Sequence, residues 1–168
     1  TGYEVLYFTD DVDEFAIQML NEYDGKTFAN ICKDDLDLST DAEKEALSKK
    51  NEENKDLLDK MKNILGDEVK AVKLTDKLGS HPVCISADGY VSLEMAKVLS
   101  QMPNGGNGIK ADLVLEINSE HPIAKKLAEA DDEMLAKYTK ILYAQAKLIA
   151  GLDIDNPTEL TDSIVDLM

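Results

Sequence analysis

Arginine is absent from this sequence, and its absence argues against one large class of function. All 18 basic residues are lysines, against 34 acidic residues, so the formal net charge is −16. Nucleic-acid binding needs a basic surface that displaces counterions from phosphates, and arginine is the side chain that most often reads guanine. We therefore expect no nucleic-acid partner, and we interpret the acidic charge as a source of solubility.

Cysteine and long apolar runs are also scarce. The two cysteines, Cys32 and Cys84, are too few and too far apart for a disulfide scaffold or a CxxC metal site. We interpret both as small buried side chains in a reducing compartment. No stretch approaches the roughly 20 apolar residues that span a membrane, and no charged-then-apolar leader opens the chain. These features predict a cytoplasmic protein with no membrane partner.

The residue patterns of catalysis are missing as well. Both histidines, His81 and His121, precede a proline, a position that suits a loop or the start of a helix. The sequence has no Walker loop, HExxH, GxSxG or GxGxxG motif. We predict no catalytic residue, no metal site and no cofactor in this chain. An enzyme that uses Cys84 with His81 is an alternative, and it would require a reactive thiolate.

The first 40 residues have the pattern of a β-α-β unit. Residues 3–8 form a nearly continuous apolar run, which is typical of a strand buried on both faces. Helical spacing follows over 12–20, and residues 27–32 indicate a second strand. The first strand needs partners that the chain hardly supplies, so the sequence reads as a piece of a longer protein. Residues 41–65 predict a long linking helix with a solvated polar first half, and Gly66 marks its end.

Residues 66–168 predict an α+β domain with a small sheet. Three short strands are expected, at 69–74, 83–86 and 113–117. An amphipathic helix at 92–102 lies between the second and third strands, and two helices joined as a hairpin close the chain. The predicted domains are therefore the end of a β-α-β unit at 1–40, a linking helix at 41–65 and a final domain at 66–168.

The closing hairpin carries an apolar stripe wider than one partner helix would cover. Two heptad rows lie side by side on its first helix, and the end of the chain is apolar too. Packing onto the small sheet alone is one explanation. A four-helix bundle formed by two copies buries both rows and accounts better for the apolar end. The predicted dimer interface comprises Met134, Leu135, Tyr138, Ile141, Leu142, Leu148, Ile149, Leu160, Ile164 and Leu167.

The helix at 92–102 has a second apolar stripe. Val91, Met95, Val98 and Met102 recur at helical spacing, with Leu99 beside them. Most such stripes are core. However, methionines suit adaptable contacts, and glycine-containing loops flank the helix on both sides, so an exposed face that binds a partner is the alternative.

Several segments resemble, in order, parts of the heat-shock protein 90 chaperones. Residues 2–6 and 10–15 resemble the strand and helix near the end of their middle domain, and 25–28 continue the match. Residues 67–78 resemble the opening strand of their C-terminal domain, and 115–122 are similar to a phrase distinctive of the family. The chain ends without the Met-Glu-Glu-Val-Asp tail of eukaryotic cytosolic members, which indicates the bacterial, high-temperature protein G type.

The resemblance implies that the chain is a fragment of an ATP-driven dimeric clamp. Members bind ATP and Mg²⁺ in an N-terminal domain and use a middle-domain arginine in hydrolysis, so the ATPase of the parent would lie upstream of Thr1. The C-terminal domain would form a homodimer through a four-helix bundle, here 133–150 and 157–168. A dimerisation module without client binding is the alternative.

The resemblance also implies where unfolded client proteins would bind. They would contact the middle-domain helix and the amphipathic helix, at Glu14, Phe15, Gln18, Val91, Met95, Val98, Leu99 and Met102. In bacterial relatives the position of Phe15 is often tryptophan.

Overall fold

The structure, a computed structural model, describes residues 4–10, 12–30, 40–89, 91–101 and 111–167, with the side chains of 99–101 excepted. The predicted α+β class is confirmed for these residues. In chain order the elements are α1 (Asp13–Leu20), β1 (Glu22–Tyr23), β2 (Lys26–Thr27), α2 (Asp41–Glu53), α3 (Lys55–Leu65), a 3₁₀ turn (Gly66–Glu68), β3 (Ala71–Thr75), β4 (Val83–Asp88), α4 (Leu93–Gln101), β5 (Asp112–Asn118), α5 (Pro122–Glu129), α6 (Asp132–Ile149) and α7 (Pro157–Val165).

The expected β-α-β unit is not formed by the described residues before 40. Residues 4–9 lie in no strand, although α1 follows them as expected. A strand needs a neighbour for its N–H and C=O groups, and none of the described strands pairs with this run. The expected strand at 27–32 lies partly outside the described residues, and at its start β2 pairs with β1 in a short antiparallel hairpin. Its turn is Asp24-Gly25, with φ of 50° and 72°, the left-handed backbone that such two-residue hairpins require.

The predicted linking helix is present but is interrupted at Asn54. The Asn54 side chain donates a 2.8 Å hydrogen bond to the carbonyl of Lys50, so it competes with the helical backbone at the break between α2 and α3. Thr40 and Glu43 form a capping box at the start of α2, and α3 ends at Gly66, which has a φ of 58°.

The first half of the linking helix is not simply solvated, because it covers the edge of the sheet. Asn51 on α2 donates to the carbonyl of Leu74 at 3.1 Å and accepts from the Leu74 N–H at 2.8 Å. Both backbone groups of an edge-strand residue are therefore paired by one amide side chain. This contact fixes the linking helix against the domain that follows it.

The predicted three-stranded sheet is confirmed, with the strand order β3-β5-β4. The central strand β5 is parallel to β3 and antiparallel to β4. Alternate side chains point to one face and form the core with α3, α5 and α6. The core side chains on the strands are Val72, Leu74, Val83, Ile85, Ala87, Leu115 and Ile117.

The final two helices form the expected hairpin. Helix α6 packs against β4 and α3, and α7 packs back on α6. Lys137 lies 3.4 Å from Asp166, and Lys140 lies 2.8 Å from Glu159, so two ion pairs join the helices in an antiparallel arrangement. Asn156 caps α7 by accepting a hydrogen bond from the N–H of Glu159 at 3.2 Å, and Pro157 occupies the first turn.

Candidate protein-binding surfaces

Exposed large apolar side chains fall into two groups among the described residues. We call the first the N-terminal apolar group, Val5, Leu6, Tyr7, Phe8, Val12, Met19, Leu20 and Tyr23. We call the second the hairpin apolar group, Leu148, Ile149, Ile164 and Val165. Contiguous exposed apolar surface on a soluble protein usually marks an interaction site.

Helix α1, which carries part of the N-terminal apolar group, is held against the start of α4. The Ser92 hydroxyl donates a 2.6 Å hydrogen bond to one carboxylate oxygen of Glu14. The Gln18 amide lies 3.0 Å from the Met95 sulfur, to which it donates. We call the combined surface of α1 and α4 the α1–α4 face. It joins segments that are 77 residues apart in the sequence.

Ser92 organises this contact, and sequence reasoning did not identify its role. Its side chain is 1% exposed, and its hydroxyl also accepts the N–H of Met95 at 3.0 Å, so it caps α4 while it binds Glu14. The second oxygen of Glu14 accepts from the Asn30 amide at 3.2 Å. A serine three residues before the first methionine of an amphipathic helix is a recognisable capping signal, but nothing in the sequence points from it to Glu14.

The structure brings most of the predicted client-binding residues to the α1–α4 face. Gln18 is exposed, and Glu14 and Phe15 on α1 are half-buried. Val91, Met95 and Val98 are also half-buried, while Leu93 of the same helix enters the core at 3% exposure. The side chain of Leu99 and all of Met102 lie outside the described residues.

The other side of α4 contacts the end of α6. The Lys97 ammonium group donates to the carbonyl of Ala150 at 2.5 Å. That carbonyl belongs to the C-terminal end of α6, where unpaired carbonyls and the helix dipole attract a positive charge. Helix α4 is therefore held between α1 on one side and the hairpin on the other.

The predicted dimer residues of the final hairpin fall into three groups by burial. Leu135 and Leu142 are 3% and 5% exposed and lie in the core of the chain itself, together with Ala146. Leu148, Ile149 and Ile164 are exposed. The remaining predicted residues are half-buried, namely Met134, Tyr138, Ile141, Leu160 and Leu167. Val165 on α7 is also exposed, although it is not among the predicted interface residues.

A buried tyrosine fixes the middle of α6 to the turn that precedes the sheet. The Tyr143 hydroxyl donates to the Glu68 carboxylate at 3.1 Å. Burial and the adjacent Glu68 charge raise the pKa of Tyr143, so the phenol stays protonated. Lys147 lies 5.6 Å from the centre of the ring and 2.7 Å from Asp155, which ties the α6–α7 connection to the same cluster.

The described residues do not suit a metal ion or a nucleotide. They contain no group of three or more His, Cys, Asp or Glu side chains that could hold a metal. The cleft between α3, α6 and α7 has lysines on its rim, but Lys140 and Lys147 are each paired with a carboxylate. A lysine that is already paired with a carboxylate contributes little to the binding of a triphosphate. None of the helices in the described part combines the length and apolar character needed to cross a membrane.

Comparison with known proteins identifies the family. The sequence profile described as "Hsp90 protein" matches residues 1–168. The chain is 47% identical over 170 residues to the "Chaperone protein HtpG" of Bacillus subtilis (strain 168), a match that covers 99% of the chain. It is 46% identical to the protein of that name from Clostridium perfringens (strain 13 / Type A), and 49% identical to that of Clostridium botulinum (strain Langeland / NCTC 10281 / Type F). Both of these matches also cover 99% of the chain, which spans 27% of the length of each relative. The chain belongs to the Hsp90 family.

Proposed function

We propose that this chain is the client-binding and dimer-forming part of an Hsp90-type chaperone of the bacterial cytoplasm. Residues 1–40 would be the end of the middle domain, 41–65 the linking helix and 66–168 the C-terminal dimerisation domain. Family membership supports the chaperone role, since the relatives that match over 99% of the chain are named as chaperone proteins.

The observation that carries the client-binding proposal is the contact between α1 and α4. Two helices proposed to bind clients, whose paired residues are 77 and 78 positions apart, are joined through Glu14 with Ser92 and through Gln18 with Met95. A continuous face with half-buried apolar side chains and methionines suits adaptable binding of many different segments.

The hairpin apolar group supports the dimer proposal. Because Leu135 and Leu142 are already buried in the chain's own core, they stabilise the subunit and are not available to a second copy. The proposed interface is therefore centred on Leu148, Ile149 and Ile164, with Val165 added. A two-fold pairing of hairpins would place each of these exposed side chains against the same group of the partner.

The contact between Lys97 and Ala150 suggests how the two surfaces act together. It holds α4 to the end of α6, next to Leu148 and Ile149. Pairing of two hairpins would then fix the distance between the two client-binding faces. Burial of a few hundred Å² gives several kcal/mol at about 25 cal/mol/Å², before ordering costs, so each face binds weakly and two faces add avidity.

The ATPase of such a chaperone is proposed to reside in other parts of the full-length protein. ATP and Mg²⁺ would bind there and drive the clamp. The described residues of this chain do not form a site that fits either group, and no step of the present proposal depends on them.

The experiment that tests client binding is a titration of an unfolded protein into two forms of the chain. We expect Met95→Asp with Val98→Asp to weaken binding at least tenfold, because charges replace two apolar side chains that each contribute about 1.5–3 kcal/mol when buried. Fluorescence anisotropy of a labelled, permanently unfolded client would measure the affinity.

The matched control is Ala42→Asp with Ala46→Asp, which adds the same charge to exposed positions on α2. Control and wild type should bind alike and remain dimers. Equal client affinity in all three proteins would contradict the assignment of α4. A wild-type chain that dimerises but binds no unfolded protein would support the alternative, a dimerisation module alone.

A further inference from the structure

The N-terminal apolar group lies in a strongly acidic part of the chain. Residues 4–30 carry seven carboxylates, at positions 4, 10, 11, 13, 14, 22 and 24, against a single lysine, Lys26, which gives a net charge of −6. Lys26 itself lies 3.8 Å from the Glu4 carboxylate. Helix α4 adds Glu94, which is exposed beside Met95.

The same segment that carries these carboxylates also carries exposed apolar side chains. Met19 is 85% exposed and Tyr23 is 69% exposed, while Asp10, Glu22 and Asp24 are also exposed. The Glu14 carboxylate lies next to α4, where its two oxygens accept hydrogen bonds from Ser92 and Asn30. The surface therefore offers apolar contact and a negative potential together.

This combination narrows the class of partner. A second copy of the chain would bring the same net charge of −6 against this surface, and like charges oppose such pairing. Nucleic acids and anionic lipid surfaces are disfavoured for the same reason. A polypeptide segment with apolar side chains flanked by lysine or arginine satisfies both features, since each cation can approach an exposed carboxylate.

Resting on the proposed chaperone function, we infer that the α1–α4 face selects client segments in which basic residues flank apolar ones. The apolar side chains contact the methionines and aromatic residues of the face, and the basic residues contact its carboxylates. The charge contribution acts between exposed groups, so it falls as salt rises; the Debye length shortens from about 10 Å at 0.1 M salt to about 3 Å at 1 M.

The test compares three labelled peptides that share the same leucines and phenylalanines. Lysine flanks the apolar residues in the first peptide, serine replaces each lysine in the second, and glutamate replaces it in the third. Anisotropy titrations on the full chain should rank their affinities in that order, and the difference between the first two peptides should shrink with added salt.

A pair of variants then locates the effect. Asp10→Asn with Glu94→Gln removes two exposed carboxylates near the α1–α4 face. We expect this double variant to lower the affinity for the lysine peptide roughly three- to tenfold and to change the affinity for the serine peptide little. The matched control, Glu52→Gln with Asp59→Asn, makes the same charge change on α2 and α3, where both side chains are exposed. The control should bind the lysine peptide as the wild type does.

Three results would overturn the inference. Equal affinity for the three peptides would refute charge selection but leave client binding intact. An equal loss in the control would mean that the total charge of the chain, rather than this face, attracts the lysine peptide. Binding of none of the three peptides would refute the proposed client-binding function itself, and the inference with it.

Discussion

Asn118 joins three parts of the final domain through its side-chain amide. It donates to the carbonyls of Gly79 and His81, both at 2.9 Å, and accepts the N–H of Glu120 at 3.0 Å. The residue is 1% exposed, whereas the three residues that it contacts are exposed. The loop before β4 and the turn after β5 therefore both depend on this one side chain.

We expect Asn118→Ala to lower the free energy of unfolding by about 1–2 kcal/mol, because three hydrogen bonds that join the loop and the turn to β5 are lost. Urea denaturation measures the change. Asn63→Ala on the exposed face of α3 serves as the control and should leave stability nearly unchanged. A similar midpoint for Asn118→Ala and wild type would show that the loop does not depend on the amide.

In contrast to Asn118, Thr139 on α6 has a buried polar group that forms no hydrogen bond to the described residues. Its side chain is fully buried on the core face of the helix, and its hydroxyl has no hydrogen-bond partner among the described residues. Burying a hydroxyl without a partner costs free energy, whereas a methyl group of the same shape costs none.

Thr139→Val should therefore stabilise the chain by roughly 1 kcal/mol, as measured by urea denaturation. Thr161→Val is the matched control, because the Thr161 hydroxyl is exposed and donates to the carbonyl of Pro157 at 2.9 Å. The control should be neutral or slightly destabilised. A loss of stability in Thr139→Val would indicate that the hydroxyl has a partner after all.

At the scale of elements, one lysine links the ends of all three strands. Lys70, just before β3, lies 2.5 Å from Asp88 on β4 and 3.8 Å from Asp112 on β5, and these two aspartates are paired opposite each other. The Lys70 hydrogen bond and charge hold the pKa of Asp88 below its ordinary value of 3.8. A carboxyl whose pKa falls on folding stabilises the native state above its ordinary pKa and loses that effect as the pH drops through the lowered value.

We predict that Lys70→Gln is less stable than wild type near neutral pH, and that the difference shrinks as the pH falls below about 4. Urea midpoints measured across this range test the prediction. The effect is small, because the pair is exposed. A difference that does not change with pH would mean that Lys70 acts through packing rather than through its charge.

The elements of 69–167 were predictable because their signals are local. The periodicities of the strands and helices, the stop at Gly66 and the caps at His121 and Asn156 each depend on a few adjacent residues. The described residues 4–8 do not form the strand expected at 3–8, because a strand also depends on a neighbour that local sequence does not supply. The break at Asn54 was not predicted, because the polar first half of the linking helix has no apolar periodicity that an asparagine would interrupt.

The faces of the elements were harder to predict than their bounds. Two heptad rows on α6 looked equivalent, and only packing on β4 decided that Leu135 and Leu142 enter the core. Glu116 on β5 is 8% exposed and accepts a 2.5 Å hydrogen bond from Ser86 on the neighbouring strand. Such partners lie 30 residues apart, so alternation along one strand cannot reveal them.

At the scale of the whole molecule, we propose a different function for each of the two apolar groups. Part of the N-terminal apolar group, Met19 and Leu20, lies on α1 and so on the acidic α1–α4 face, which we propose binds clients. The hairpin apolar group lies on the last two helices, which we propose pair with a second copy. The contact of Lys97 with Ala150 connects the two regions, and neither it nor the α1–α4 contact could be predicted from sequence, since the paired residues are 53 and 77 positions apart.

The direct test of the account is the oligomeric state of the chain when its exposed hairpin residues are changed. We predict that sedimentation equilibrium gives twice the chain mass for wild type and for Asn63→Glu, which adds a charge on the exposed face of α3. Ile149→Glu with Ile164→Glu should give the single chain mass while circular dichroism remains that of the folded protein. A wild-type monomer, or a dimer that persists in the folded double variant, would contradict the account.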